Sequence, residues 1–162
     1  MSKEREVLDL LVENARYSTE EISRMTDIDE EEVEEIISEM ENEGVVKGYR
    51  AVVDYENLDS EPVSAYVEVN ISLDRETGYE EVARSISRFP NVKSMHLVSG
   101  NYDFGVVVED ESMQTVSDFV SEKIAPVPEV TQTVTHFIMD TYKDRGFELI
   151  GEGDDDRLSV SP

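Results

Sequence analysis

Ser18–Tyr49 reads STEEISRMTDIDEEEVEEIISEMENEGVVKGY, two short helical patterns separated by a tight turn and followed by an extended run. Ser18 stands three residues before Glu21, and Asp29 three before Glu32. Both spacings are those of a capping box, in which a small polar side chain and a glutamate satisfy free N–H groups at a helix start. Ile22 and Met25 give the first helix an inward side, and Val33, Ile36, Ile37 and Met40 give the second an apolar stripe. Gly44 falls just past the last turn, where a left-handed cap is wanted. This is the layout of a helix-turn-helix, a device for entering the DNA major groove. The charge points the other way. Asp29, Glu30, Glu31, Glu32, Glu34, Glu35, Glu39, Glu41 and Glu43 crowd the second helix with no Lys or Arg among them, whereas a DNA reader needs cations to replace those released from phosphate.

Upstream, Val7, Leu8, Leu11, Val12 and Ala15 recur at helical spacing and predict a helix over about Lys3 to Asn14. Residues 1–54 therefore form a three-helix, winged helix-turn-helix domain, with VVKGYRAVVD as its extended exit. About fifty residues is near the lower limit for independent folding, so this unit is expected to lean on the rest of the chain or on a second subunit. Residues 55–62, YENLDSEP, read as a linker.

Downstream the period changes from 3.6 to 2. Val63, Ala65, Val67, Val69, Ile71 and Leu73 alternate with polar residues, a half-buried strand. A helix follows near Gly78–Phe89 with Tyr79, Val82, Ala83 and Ile86 on one face, then strands Val92–Ser99 and Asp103–Glu109 joined at Gly100–Tyr102. A second helix, Ser112–Ile124, turns Met113, Val116, Val120 and Ile124 inward, and a last strand runs from Thr131 to Thr141. The order is βαββαβ, the split-βαβ arrangement of ferredoxin-like domains, over residues 63–145. Its helices cover one sheet face and leave the other for a partner subunit. Residues 146–162, ending GEGDDDRLSVSP, lack periodicity and read as a disordered acidic tail. The fold class is α+β.

Lys and Arg total 14 against 39 Asp and Glu, a formal net charge of -25. The acids are dispersed over intact amphipathic segments, which fits a halophilic protein working in concentrated salt that screens their repulsion. The absence of Cys rules out disulfides and thiolate metal sites. No stretch approaches ~18 apolar residues and MSKEREVLDLL lacks a signal peptide's apolar run, so a soluble, cytoplasmic protein without a membrane role is expected. His96 and His136 sit on strands expected at opposite sheet edges, which keeps them apart within one subunit, although a dimer could bring them together; satisfied structural histidines are the expectation. No nucleophile triad, P-loop or dinucleotide fingerprint occurs, and no cofactor is implied.

Taken together, EMENEGVVKGYRAVVD after the helix-turn-helix, LVSGNYDF and PEVTQTVTHFIM resemble the Lrp/AsnC (leucine-responsive, feast/famine) family of transcriptional regulators over about Lys3–Tyr142. The resemblance implies a non-enzymatic DNA-binding protein whose βαββαβ (RAM) domain makes homodimers that commonly assemble into octamers. It further implies a free amino acid as effector, held at the loop Ser99, Gly100, Asn101, Tyr102 and Asp103 beside Thr131 and Thr133. The chemistry suits that role. Gly100 permits close backbone approach, Asp103 can accept from an ammonium, and the threonines add hydroxyls. An ordinary hairpin turn would use the same residue types. On the helix-turn-helix, residues 18–43, the groove-facing set is Arg24, Glu31, Glu34, Glu35 and Ser38, with Lys47 and Arg50 following. The acidic helix departs from the family's usual Arg, Lys or Ser/Thr. An alternative is therefore a member with weakened DNA reading that acts as a sensor or hetero-oligomeric partner of another regulator. Sirohaem decarboxylases resemble the same two-domain architecture, but a polycarboxylate substrate would need more Lys and Arg than this chain holds.

Overall fold

The computed structural model describes residues 2–150, and the acidic stretch from Gly151 onward lies outside the described residues. The chain divides into two compact units, Met1–Ala51 and Val52–Pro162.

The first unit is built from α1 (Lys3–Glu13), α2 (Thr19–Thr26) and α3 (Glu30–Asn42). Val7, Leu11, Ile22, Ile28, Val33, Ile36 and Met40 meet in its core. The Ser18 capping box forms in full: Ser18 Oγ accepts from Glu21 N at 3.1 Å, and Glu21 returns a carboxylate oxygen to Ser18 N at 2.8 Å. That reciprocal bonding holds the Glu21 carboxyl below its ordinary range, through the Ser18 backbone N–H first and its hydroxyl second. The second capping box does not form. Asp29 precedes α3 without a side-chain cap bond, and Glu32 turns instead to Lys3 Nζ, 2.6 Å away on α1. An ion pair across the unit has taken the side chain that the local spacing reserved for the helix start.

The turn between α2 and α3 is set by Asp27 in the left-handed region, φ 58°, a conformation that Asp tolerates better than most residues. Gly44 ends α3 at φ 72°, as its position predicts. Val12 and Met25, expected on inward faces, are 78% and 48% exposed, because Leu11 and Ile28 take the core places. Val45–Asp54 pairs in no strand, so the extended exit carries no ladder within one chain.

After a short 3₁₀ turn at Tyr55–Asn57, the second unit runs β1 (Val63–Ile71), α4 (Tyr79–Ser87), β2 (Val92–Leu97), β3 (Phe104–Asp110), α5 (Met113–Phe119) and β4 (Val130–Phe137). A π-turn at Val120–Ile124 extends α5. The sheet order is β2-β3-β1-β4, all antiparallel, the ferredoxin-like arrangement with β2 and β4 at the edges. Ala65, Val67 and Val69 of β1 and Phe104, Val106 and Val108 of β3 are buried against Val82 and Ile86 of α4 and Val116, Phe119, Val120 and Ile124 beyond it. Met113, expected inward, is 47% exposed at the first turn of α5.

Register assigns the opposite sheet face. Tyr66 stands across from Val107 and His136, and Glu68 across from Gly105 and Val134. These residues project away from the helices, and among the described residues no element pairs with that side through a strand ladder. Past β4, β5 (Lys143–Asp144) and β6 (Phe147–Glu148) make a small hairpin turned by Arg145 and Gly146 at φ 49° and 91°. A structureless tail beginning at residue 146 is therefore incorrect for its first residues.

Candidate functional site

The loop between β2 and β3 is pinned at two points. At its downstream end, Asp103 N donates to Val69 O at 3.1 Å and Asp103 Oδ2 accepts from Ile71 N at 2.9 Å. The second bond answers a local need. The β1–β3 ladder ends at Val69 and Phe104, and the Asp103 carboxylate receives the next N–H that β1 turns to that side, Ile71's. One step upstream, the Tyr102 hydroxyl lies 2.8 Å from the Tyr66 hydroxyl, with the rings edge to face. Between these anchors and β2, Val98 N donates to Asp103 O, closing the loop's base. Ser99, Gly100 and Asn101 remain exposed, with Gly100 at φ 133° where a side chain would strain the backbone.

Asp103 thus has a structural duty that sequence reasoning did not assign, and one carboxylate oxygen left over. Tyr66 and Gly105 were missed altogether. Tyr66 read as a polar alternation partner, although a Gly inside the run FGVVVED signals close approach by another group. Here that group is the Tyr66 phenol. A Cβ built on Gly105 would collide with Tyr66 Oη and come within 2.7 Å of its Cζ. Packed over the bare strand, half-buried and hydrogen-bonded, the Tyr66 hydroxyl has its pKa pushed up to about 12, chiefly by the bond to Tyr102 and then by burial.

Thr131 and Thr133 do not join this cluster within one chain. Thr133 pairs with Val69, which puts it on the helix-facing side, and Thr131 is exposed where the register slips. The phenols lie on the open side. His136 Nε2 stands 3.3 Å from Glu68 Oε1 on that open side, and His96 lies on the far edge strand, opposite Gly105. Among the described residues no group of three His, Asp or Glu side chains could hold a metal ion, and no helix is long and apolar enough to cross a membrane.

In the first unit, α3 presents Glu31, Glu34, Glu35 and Ser38 outward, all exposed. The nearby cations are largely engaged by the unit's own acids. Lys3 holds Glu32, Arg5 holds Asp9 at 2.8 Å, and Arg24 holds Glu20 at 3.1 Å. Lys47 and Arg50 are exposed on the segment after α3. That segment is tied back to the helix by Tyr49 Oη donating to Glu41 Oε1 at 2.8 Å.

Known proteins share both units. Residues 2–47 match the family model for a winged helix-turn-helix DNA-binding domain, and residues 64–146 match that for the Lrp/AsnC ligand binding domain. The HTH-type transcriptional regulator YugG of Bacillus subtilis is 42% identical over 162 residues, 99% of this chain and 97% of its own. The leucine-responsive regulatory protein of Haemophilus influenzae is 25% identical, covering 89% of this chain and 86% of its own. Among solved structures, the leucine response regulatory protein LrpA of Mycobacterium tuberculosis superposes with a TM-score of 0.74 at 20% identity, covering 93% and 100% of the two chains. A transcriptional regulator of Neisseria meningitidis in complex with L-Met superposes at 0.67 and 22% identity, covering 89% and 93%.

Proposed function

Since the chain belongs to the Lrp/AsnC family, and is a DNA-binding transcriptional regulator with a ligand-binding domain, we propose that this domain takes a free amino acid at the loop Ser99–Asp103. The single observation that carries the reading is the pinned loop itself. It leaves Ser99, Gly100 and Asn101 exposed, with peptide N–H groups available to a carboxylate. The second oxygen of Asp103, at the end of the same loop, suits an ammonium. The neisserial regulator of the same fold is described with L-Met bound, which supports amino acids as the ligand class.

A second copy of the chain covers the open sheet face bearing Tyr66, Glu68, Val107, Val134 and His136. On this account the active species is a homodimer or larger, and Thr131, exposed on the edge strand β4, completes the effector site. The protein works in the cytoplasm at high salt, where the repulsion between the acids on α3 and phosphate is screened and Lys47, exposed after α3, meets the DNA backbone.

The test is thermal denaturation of the purified protein in multimolar KCl against each of the twenty amino acids. A ligand at 100 times its Kd adds about 2.7 kcal/mol to a native state that alone binds it. One or a few amino acids are expected to raise Tm, and a flat response to all twenty would remove the effector assignment.

A second reading rests on the engaged cations of the first unit. With Lys3, Arg5 and Arg24 paired internally, DNA reading is weakened and the protein acts as a sensor or hetero-oligomeric partner of a more basic regulator. Footprinting by the homo-oligomer at native salt favours the first reading. Recovery from cells in a stable hetero-oligomer favours the second.

A further inference from the structure

Tyr66 joins the loop to the open face of the sheet. Its ring starts from the middle of β1, between Val107 and His136 in register. It then lies across β3 at the one strand position where a missing side chain leaves room, Gly105. There its hydroxyl meets that of Tyr102 at 2.8 Å. Tyr102 is the residue immediately before the Asp103 anchor, so the exposed stretch Ser99–Asn101 is fixed on its downstream side by two contacts that originate in β1. One is backbone-directed, from Asp103 to Ile71 and Val69. The other is a side-chain contact, and it alone reaches the face opposite the helices.

We propose that Tyr66 is a positioning residue for the effector loop, holding Tyr102 through its hydroxyl so that Ser99–Asn101 keep their ligand-ready arrangement. Gly105 serves as the slot that admits the phenol. The inference rests on the loop being the effector site. Shared hydrogen bonding between two phenols uses one hydroxyl proton and leaves the other free to donate. The pair therefore offers one O–H donor beside a loop that has no Lys or Arg between Ser99 and Phe104. A carboxylate arriving there would be met by hydroxyl and peptide donors rather than by a cation.

Two substitutions break the contact by opposite routes. Tyr66→Phe keeps the ring in its slot and deletes the hydroxyl. Gly105→Ala keeps both hydroxyls and pushes the phenol out. Because the colliding atoms are the far end of a flexible side chain, the strand itself has no reason to distort. In the full chain, amide hydrogen exchange at Val98 and Asp103, whose bonded N–H groups close the base of the loop, should quicken about fivefold in each variant, the weight of one ordinary hydrogen bond, with the β1 and β3 core amides unchanged. Affinity for the amino acid that stabilises the wild type should fall by a similar factor in each. The double variant should be no worse than either single one, since both remove the same contact.

Loop exchange equal to wild type in both variants overturns the proposal. So does a rise spread evenly over the sheet, the mark of a purely structural role, and so does unchanged amino-acid affinity alongside a loosened loop. If the wild type binds none of the twenty amino acids, the effector reading fails by itself, while the exchange comparison still decides whether Tyr66 positions the loop.

Discussion

Replacing Asp103 separates two duties that one side chain performs. Asp103→Ala removes the acceptor of the 2.9 Å bond from Ile71 N, just past the last pair of the β1–β3 ladder. Hydrogen bonds to charged groups contribute about 1.5–3 kcal/mol, and partial exposure of this carboxylate favours the low end, about 1.5 kcal/mol. For a unit of this size each kcal/mol moves Tm by roughly 4–8 °C, so Asp103→Ala should lower Tm by roughly 6–12 °C. Asp103→Asn is the informative companion. Its amide oxygen can still accept from Ile71, so the loss should be less than half as large, while the anionic partner for an ammonium is gone. Thermal denaturation in multimolar KCl, with and without the stabilising amino acid, reads both quantities. We expect Asp103→Asn to lose at least about tenfold in effector affinity, the equivalent of roughly 1.4 kcal/mol. An Asp103→Ala protein as stable as wild type would refute the anchoring role, and an Asp103→Asn protein binding undiminished would refute the ammonium contact.

Ser18→Ala should cost about 1 kcal/mol by deleting a formed N-cap, whereas Asp29→Ala, which has no cap bond to lose, should cost far less by circular dichroism melts. The Glu21 carboxyl in that box is held below its ordinary pKa, so its contribution is present above that ordinary value and is lost as pH falls through the depressed one; an acid titration of Ser18→Ala should lose only the hydroxyl's smaller share of this component, whereas Glu21→Gln should lose all of it. Ile86→Ala empties a fully buried position under the sheet and should cost about 2–5 kcal/mol by denaturant unfolding, with no change in which amino acid stabilises the protein. Converting Glu31, Glu34 and Glu35 to Lys should tighten binding to arbitrary DNA and steepen its salt dependence, by a slope of about 0.9 for each further phosphate neutralised, measured by fluorescence anisotropy.

Both units were legible because their apolar periods are clean. The helical spacing of Val33, Ile36 and Met40 and the strict alternation from Val63 to Ile71 set the element types. What escaped depended on partners far away in sequence. Glu32 left its predicted cap because Lys3 lay within reach on another helix. Val12, Met25 and Met113 belong to apolar stripes wider than the surfaces they pack on, and only the packed unit decides which edge of a stripe stays outside. The site followed the same rule. Asn-Tyr-Asp in the loop could be read as chemistry, but the claim of Ile71 on Asp103 arises from where the β1–β3 ladder ends, which no local pattern encodes. Gly105 matters only because Tyr66, on a neighbouring strand, leans over it. The hairpin turned at Arg145-Gly146 carried a turn signal weaker than Asn-Gly, and its second strand was absorbed into the acidic tail.

An amino acid bound by the sheet unit is expected to change how the helix-turn-helix unit engages DNA. The most direct test of that coupling is the affinity of the full chain for DNA from upstream of its own gene, measured by anisotropy in multimolar KCl with and without the amino acid that raises Tm. Coupling between two sites is typically 5- to 150-fold, and a shift of at least about fivefold is expected here. Equal affinities with and without that amino acid, at concentrations that saturate the thermal shift, would contradict it.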